Sequence, residues 1–175
     1  LRENGSTEFI DYYGNAAEGT NQGLEFETNW QVTESVNLFA NLGVLDATFD
    51  RYINENGEDL SNRDQAHAPS YTYHLGFETA WQNWRTSLSL EGRDDFFFSD
   101  RHNEKSDKMN LVNASIAYKQ AQWQVRLWGR NLTNRDYTIR GFGSFGNDPR
   151  DGYTTRPFVQ FGEPRMIGIT GDYRL

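Results

Sequence analysis

Hydrophobic and polar residues alternate along this chain with a period of two, in seven separate runs. In the first run, Leu24 and Phe26 alternate with Glu25 and Glu27. Successive side chains of a β-strand point to opposite faces, so this alternation predicts strands with one apolar face, and no helical period competes with it. The runs are Gly23–Trp30, Val36–Val44, Tyr71–Glu78, Ser87–Arg93, Val112–Lys119, Trp123–Leu127 and Ile167–Leu175. The pattern predicts an all-β fold.

The gaps between the runs alternate strictly between short and long. The short gaps lie near residues 31–35, 81–84 and 120–122, and the long ones near residues 50–69, 99–107 and 134–163. An up-and-down outer-membrane barrel has short periplasmic turns and long extracellular loops. The order of the gaps therefore predicts an antiparallel up-and-down transmembrane β-barrel segment.

Aromatic residues cluster at both ends of the predicted strands. Amphipathic rings concentrate where a membrane meets water, so we expect an aromatic belt at each end. The belt at the short gaps would hold Trp30, Trp81, Trp84 and Trp123, and the belt at the long gaps Tyr71, Phe96, Phe97 and Phe98.

Two residues do not fit the alternation. Asp94 would share the apolar face with Leu88 and Leu90, which predicts either that it lies in the headgroup zone or that a bulge at Asp94–Asp95 changes the register. Trp128 falls on the polar face.

Composition narrows the functional classes. Hydrophobic residues make up 36% of the chain, and no stretch approaches the roughly 20 apolar residues of a transmembrane helix. A barrel can nevertheless look hydrophilic, because only every second strand residue meets lipid. The net charge of −8 argues against a nucleic-acid partner. The chain has no cysteine and its three histidines lack metal-ligand spacing, so we assign no metal ligand and no cofactor.

Seven strands cannot form a complete bacterial barrel, which has an even number of strands and no open edge. One expectation is that further strands, outside this chain, complete the wall. The alternative is a self-contained eight-stranded barrel that takes its first strand from residues 4–13.

Four segments of the chain, taken in order, resemble the C-terminal end of TonB-dependent outer-membrane receptors. They are EGTNQGLEFE at 18–27, NLGVLDATF at 41–49, NLTNRDY at 131–137, and FGEPR at 161–165 together with the terminal strand. The chain departs from the family at its last residue, Leu175, where the family usually has Phe or Trp.

The resemblance implies a barrel of about 22 strands with an N-terminal plug domain. Residues 1–175 would then supply the last seven or so strands, without the plug. The implied partners are outer-membrane lipid, the plug and the rest of the barrel, the inner-membrane TonB complex acting through the missing N-terminus, and a small-molecule ligand such as an iron chelate. The implied location is the bacterial outer membrane.

The third long gap offers the best ligand-binding candidates, because it combines a glycine-rich backbone with aromatic rings and arginines that attract an anionic chelate. The alternative is a mobile loop that contacts no ligand. The candidates are Arg140, Phe142, Phe145, Arg150 and Arg156.

Two other functional classes compete with an uptake receptor. An outer-membrane enzyme needs a nucleophile beside a base, and no such pair stands out near the histidines, so we assign no catalytic residue. A soluble lipocalin-like barrel that binds a small ligand would point its apolar face inward. The sorted gap lengths and the tryptophans favour the outward orientation. Among the possible nutrients, an iron complex is favoured only by its frequency in the family.

Overall fold

A computed structural model describes residues 18–54, 57–100, 102–142, 149–152 and 158–174. These residues form nine strands and one short 3-10 turn at Pro149–Asp151. The strands are β1 (Glu18–Thr33), β2 (Val36–Arg51), β3 (Tyr71–Trp81), β4 (Trp84–Arg93), β5 (Met109–Lys119), β6 (Trp123–Arg130), β7 (Thr138–Phe142), β8 (Phe158–Phe161) and β9 (Met166–Tyr173). None of the helical structure in the described residues is long and apolar enough to cross a membrane.

All seven predicted runs form strands that join in one antiparallel sheet; Leu175, the last residue of the seventh run, lies outside the described residues. The order in the sheet is β1-β2-β3-β4-β5-β6-β9, and β7 and β8 pair separately as a two-stranded ribbon. Each strand of the sheet therefore lies beside its sequence neighbours, apart from the inserted ribbon, which confirms the up-and-down topology. Among the described strands the sheet is open, with β1 and β9 at its edges. Residues 4–13, which the eight-stranded alternative requires, lie outside the described residues.

The connections sort by length onto two ends of the sheet, as predicted. Residues 34–35, 82–83 and 120–122 form tight turns at what we term the short-turn end. The opposite, long-loop end carries the first long loop (52–70), the second long loop (94–108) and the third long loop (131–165), which contains the β7–β8 ribbon.

One face of the sheet is apolar and is not covered by the rest of the described chain. Residues of the apolar face pair with residues of the apolar face on the next strand. Their side chains therefore form continuous rows across the sheet, such as Trp30, Leu38, Phe77, Leu88 and Ala114. Leu24 is 81% exposed and Ile169 75% exposed. An apolar surface of this extent indicates contact with a membrane or with another protein surface.

The opposite face is polar, and the structure accounts for Trp128 on it. The indole N–H of Trp128 donates to the Thr170 hydroxyl at 3.1 Å. Its ring lies directly over Gly168, where a Cβ atom would overlap the indole. Trp128 therefore sits on the polar face because Gly168 leaves room for the ring and Thr170 accepts its hydrogen bond.

Asp94 lies just beyond the end of its strand. The β3–β4 ladder runs without a register shift from Trp81 and Trp84 to Thr72 and Arg93, so no bulge redirects it. The Asp94 carboxylate lies 2.8 Å from the Lys108 ammonium. Of the two explanations offered by the sequence, the structure supports a charge placed at the end of the sheet and not a bulge.

The two predicted aromatic belts differ in outcome. At the short-turn end, Trp84 and Trp123 are exposed on the apolar face and flank Tyr118, with ring centroids 4.9 and 5.7 Å from it, as predicted. At the long-loop end, the prediction for Phe96 and Phe98 was wrong, because these side chains are only 8% and 4% exposed. The chain leaves the sheet after Arg93, and both rings are buried within the second long loop instead of facing outward.

Candidate functional site

The second long loop has a small core of its own at the long-loop end. Phe96 and Phe98 meet edge to face with centroids 5.7 Å apart. The buried Ser106 hydroxyl accepts hydrogen bonds from the Phe96 N–H at 3.1 Å and from the Arg93 guanidinium at 2.9 Å. The Arg93 guanidinium also lies 4.5 Å from the centre of the Phe96 ring. Apolar packing and a buried polar network therefore order this loop together.

Arg63 joins the first long loop to the second. Its guanidinium donates to three main-chain carbonyl oxygens of the second loop and lies 4.0 Å from the centre of the Phe97 ring. These acceptors are Ser99 at 3.0 Å, Asp100 at 3.2 Å and His102 at 2.6 Å. The planar, five-donor guanidinium suits several acceptors at once, which a lysine ammonium does not reproduce.

The Asn131 side chain closes the base of the third long loop. Asn131 is 2% exposed and has a positive φ of 47°. Its side-chain amide donates to the Arg135 and Glu163 carbonyl oxygens at 2.9 and 3.0 Å, and its side-chain oxygen accepts from the Arg135 N–H at 2.8 Å. The Asn131 N–H donates to the Asn113 side chain at 3.0 Å. One asparagine thus ties the two ends of the loop to each other and to β5.

The β7–β8 ribbon stands on this base and presents two different faces. Arg140 is opposite Gln160, and Phe142 is opposite Phe158, so these four residues share one face. The Arg140 guanidinium lies 5.0 Å from the centre of the Phe142 ring. Phe142 and Phe158 are 43% and 50% exposed. We term Arg140, Phe142, Phe158 and Gln160 the ribbon face.

Of the candidates, the structure brings Arg140 and Phe142 together. Arg150 is exposed in the 3-10 turn that follows the ribbon's first strand. Phe145 and Arg156 lie outside the described residues. Sequence reasoning missed Phe158 and Gln160, and the alternating FVQF segment at 158–161 was the available signal for a strand there.

Ion pairs between half-buried carboxylates and exposed lysines rim the second long loop. The Lys105 ammonium lies 3.0 Å from the Asp95 carboxylate, and this hydrogen bond lowers the pKa of Asp95 below its ordinary value of 3.8. The hydrogen bond from the Lys108 ammonium to Asp94 raises the pKa of Lys108 above its ordinary value. Because these groups are in contact with solvent, each pair contributes little to the stability of the fold.

The ribbon face carries groups whose chemistry suits binding and not catalysis. A cation stacked on an aromatic ring, beside a second ring and an amide, recognises anionic and aromatic groups. The part of the chain that the structure describes contains no cluster of three or more His, Cys, Asp or Glu side chains able to hold a metal ion.

Solved structures that share this fold include receptors from two bacteria. The chain superimposes on the ferric yersiniabactin uptake receptor FyuA from Yersinia pestis with a TM-score of 0.74 at 14% identity, over 91% of this chain and 24% of that one. It superimposes on the siderophore receptor PiuA from Acinetobacter baumannii with a TM-score of 0.70 at 13% identity, over 90% of this chain and 22% of that one. This chain therefore spans about a quarter of the length of these receptors, and at this identity the likeness establishes the fold.

The sequence itself matches a family model over residues 2–132, which is most of its length; the model is described as TonB dependent receptor-like, beta-barrel. This match agrees with the open, up-and-down sheet and its uncovered apolar face. The chain belongs to the family of TonB-dependent receptor β-barrels.

Proposed function

We propose that this chain is the C-terminal portion of the barrel of an outer-membrane receptor that takes up a ferric siderophore or another iron complex with energy supplied through TonB. The family match over residues 2–132 carries the proposal. Both similar solved structures are of siderophore receptors, which favours an iron complex over other nutrients. The plug domain, the remaining wall and the region that contacts the TonB complex would then lie outside this chain.

The two faces of the sheet support a place in the outer-membrane wall. In this proposal the apolar rows face lipid, and the tryptophans of the short-turn end mark the periplasmic boundary. The polar face lines the interior, where Glu27 and Glu91 lie in one cross-strand row with Asn41 and His74. The long-loop end is then extracellular, where a ligand arrives.

The ribbon face supports recognition of an anionic, partly aromatic ligand. Arg140 supplies a fixed positive charge on a chain whose net charge is −8. Phe142 and Phe158 supply ring faces beside it. A guanidinium pairs with carboxylate or phenolate oxygens in a directional way, and the rings stack on flat groups. Iron chelates of acidic siderophores carry both kinds of group.

The alternative function is a self-contained small barrel that binds a small ligand. It requires β1 and β9 to pair directly or through one further strand, whereas both are edges of the described sheet. A soluble lipocalin-like barrel further requires an apolar interior. An enzymatic role has less support, because TonB-dependent receptors are receptors and transporters and not enzymes.

The proposal is tested by uptake of radioactive iron into cells that produce the complete receptor. We expect accumulation of iron from a ferric tris-catecholate or a ferric tris-hydroxamate that stops when the TonB complex is inactivated. Replacement of Arg140 by Ala is expected to weaken binding of an anionic chelate by about tenfold, which corresponds to about 1.4 kcal/mol. Arg126→Ala, which removes a charge from the polar face near the short-turn end, is the matched control.

Two results would contradict the proposal. A receptor that takes up no ferric chelate but accumulates another nutrient would refute the iron assignment and keep the transporter. A protein that is monodisperse in buffer without detergent would refute the membrane location as well.

A further inference from the structure

The β7–β8 ribbon rests on the second long loop at its base and along its side. At the base, the Arg93 guanidinium donates to the Thr138 carbonyl oxygen at 2.7 Å. The Thr138 hydroxyl accepts from the Asp107 N–H at 3.1 Å and donates to the Asp107 carboxylate at 3.2 Å. Thr138 is buried. The first residue of the ribbon is therefore fixed through both its main chain and its side chain.

The side of the ribbon that is turned away from the ribbon face contacts the loop core. Gly141 is opposite Val159 in the ribbon, and the Phe98 ring lies so close to Gly141 that a Cβ atom there would overlap it. Phe98 in turn packs on Phe96, whose ring is covered by Arg93. Arg93 and Phe98 thus support the ribbon from a single core.

The first long loop holds the same core from its other side. The Arg63 guanidinium binds three carbonyl oxygens of the second loop, as described above, and the His67 N–H donates to the Phe97 carbonyl oxygen at 2.9 Å. The Tyr52 hydroxyl donates to the Asp100 carboxylate at 2.6 Å. The second long loop is therefore held between the first loop and the ribbon, and it contacts both.

We infer that the second long loop is a preformed support for the β7–β8 ribbon, and that Arg93 is a positioning residue that orients the ribbon face before any ligand binds. This inference rests on the proposed function only in assigning the ribbon face to the ligand. A two-stranded ribbon is marginally stable by itself in water. If the second long loop orders the ribbon in advance, no conformational entropy of the ribbon is lost when the ligand binds. The affinity for the ligand is then higher.

The first test measures the position of the ribbon without a ligand. Spin labels are attached to cysteines introduced at Gln160, on the ribbon, and at Lys119, at the short-turn end, in the complete receptor. We expect one narrow distance distribution that broadens in Arg93→Gln and in Phe98→Ala. Arg126→Gln, which removes the charge of an arginine far from the loops, is expected to leave it unchanged. A distribution that is already broad in the unaltered receptor, or that Arg93→Gln does not broaden, overturns the inference.

The second test measures binding of a ferric tris-catecholate and a ferric tris-hydroxamate to the same variants without labels. Arg93→Gln is expected to weaken binding by about tenfold, while amide exchange in the β3–β4 ladder stays the same, so that a general loss of folding is distinguished from a displaced ribbon. A displaced ribbon with unchanged affinity overturns the assigned role of Arg93 in binding. If neither chelate binds the unaltered receptor, the proposed function fails, and the spin-label distances still decide whether the loop supports the ribbon.

Discussion

The seven-stranded sheet and the long-loop end of the molecule are held together in different ways. In the sheet, each strand pairs with the next through the same antiparallel main-chain hydrogen bonds. At most positions a side chain needs only to be apolar on one face or polar on the other. At the long-loop end, the side chains of Arg63, Arg93 and Asn131 each bind particular main-chain groups.

This difference predicts how each region responds to substitution. A change in the sheet should matter according to the class of side chain and the face it occupies, because backbone pairing does not depend on identity. A change at the long-loop end should matter according to the identity of the residue, because a lost side chain leaves specific main-chain groups without their partner.

The largest effect is expected from Asn131→Ala. The substitution removes the buried Asn131 side chain and its hydrogen bonds to the main-chain groups of Arg135 and Glu163. It also places a Cβ-bearing residue without a polar side chain at φ 47°. We expect the free energy of unfolding to fall by about 3–5 kcal/mol, measured by urea titration of the receptor in detergent.

Asn131→Gly is the matched control for this change. It removes the same hydrogen bonds but tolerates the positive φ, so its cost should be smaller by about 1 kcal/mol. Equal costs for the two variants would show that backbone conformation contributes nothing at this position. A cost below about 1 kcal/mol for Asn131→Ala would contradict the view that single residues hold the long-loop end.

A smaller effect is expected from a charge placed on the apolar face. Leu88 lies in the middle of β4, so Leu88→Arg should destabilise the receptor in lipid vesicles by about 2–4 kcal/mol. Ser89→Arg, one residue away on the polar face, should cost less than about 1 kcal/mol. If both variants cost the same, the apolar face does not contact lipid.

The same contrast explains how much of the fold could be predicted. The seven strands of the sheet followed from alternation, because each carries its own pattern, and their order followed from the lengths of the gaps between them. The end of β2 did not: beyond Val44 the apolar positions change from even to odd numbers, at Leu45, Ala47 and Phe49. This stretch is held by β1 and by the first long loop, as the Thr48–Asp64 bridge shows. The alternation marks the change of face, but it does not show which residues of the loop pair with the strand there.

The candidate site was predictable only in part for the same reason. Arg140 and Phe142 were recognisable from their residue types within a glycine-rich segment. Their arrangement was not, because β7 has only five residues and its partner strand lies some fifteen residues further along the chain. The loop core escaped prediction as well, since a run of three phenylalanines does not show which rings turn inward. The charged and aromatic residues identified the third long gap as the candidate segment. The ribbon face becomes visible only from the tertiary contacts.

Gly168→Ala tests a place where the sheet depends on a particular residue. The added methyl group would overlap the Trp128 ring, which must then move and give up its hydrogen bond to Thr170. We expect a loss of about 1–3 kcal/mol in the free energy of unfolding and a change in Trp128 fluorescence. Gly171→Ala, at a neighbouring position of β9 where a Cβ atom has open space, should be close to neutral. A neutral Gly168→Ala would show that Trp128 tolerates displacement and that this position of the sheet depends on side-chain class alone.

The smallest effect is expected from acid at the rim of the second long loop. The hydrogen bond from Lys105 lowers the folded-state pKa of Asp95 below its ordinary value of 3.8, so the pair stabilises the loop above that pH and loses its contribution as the pH falls through the lower, folded-state pKa. Amide exchange in the loop, corrected for its intrinsic pH dependence, should therefore be constant from neutral pH down to about pH 5 and should accelerate slightly below about pH 4. Asp95→Asn should remove this step and leave protection in the β3–β4 ladder unchanged. If amide exchange in Asp95→Asn accelerates to the same extent, another carboxylate is responsible. If the acceleration in the unaltered receptor is large, the charges at the rim, and not the Arg63 and Arg93 contacts, hold the long-loop end.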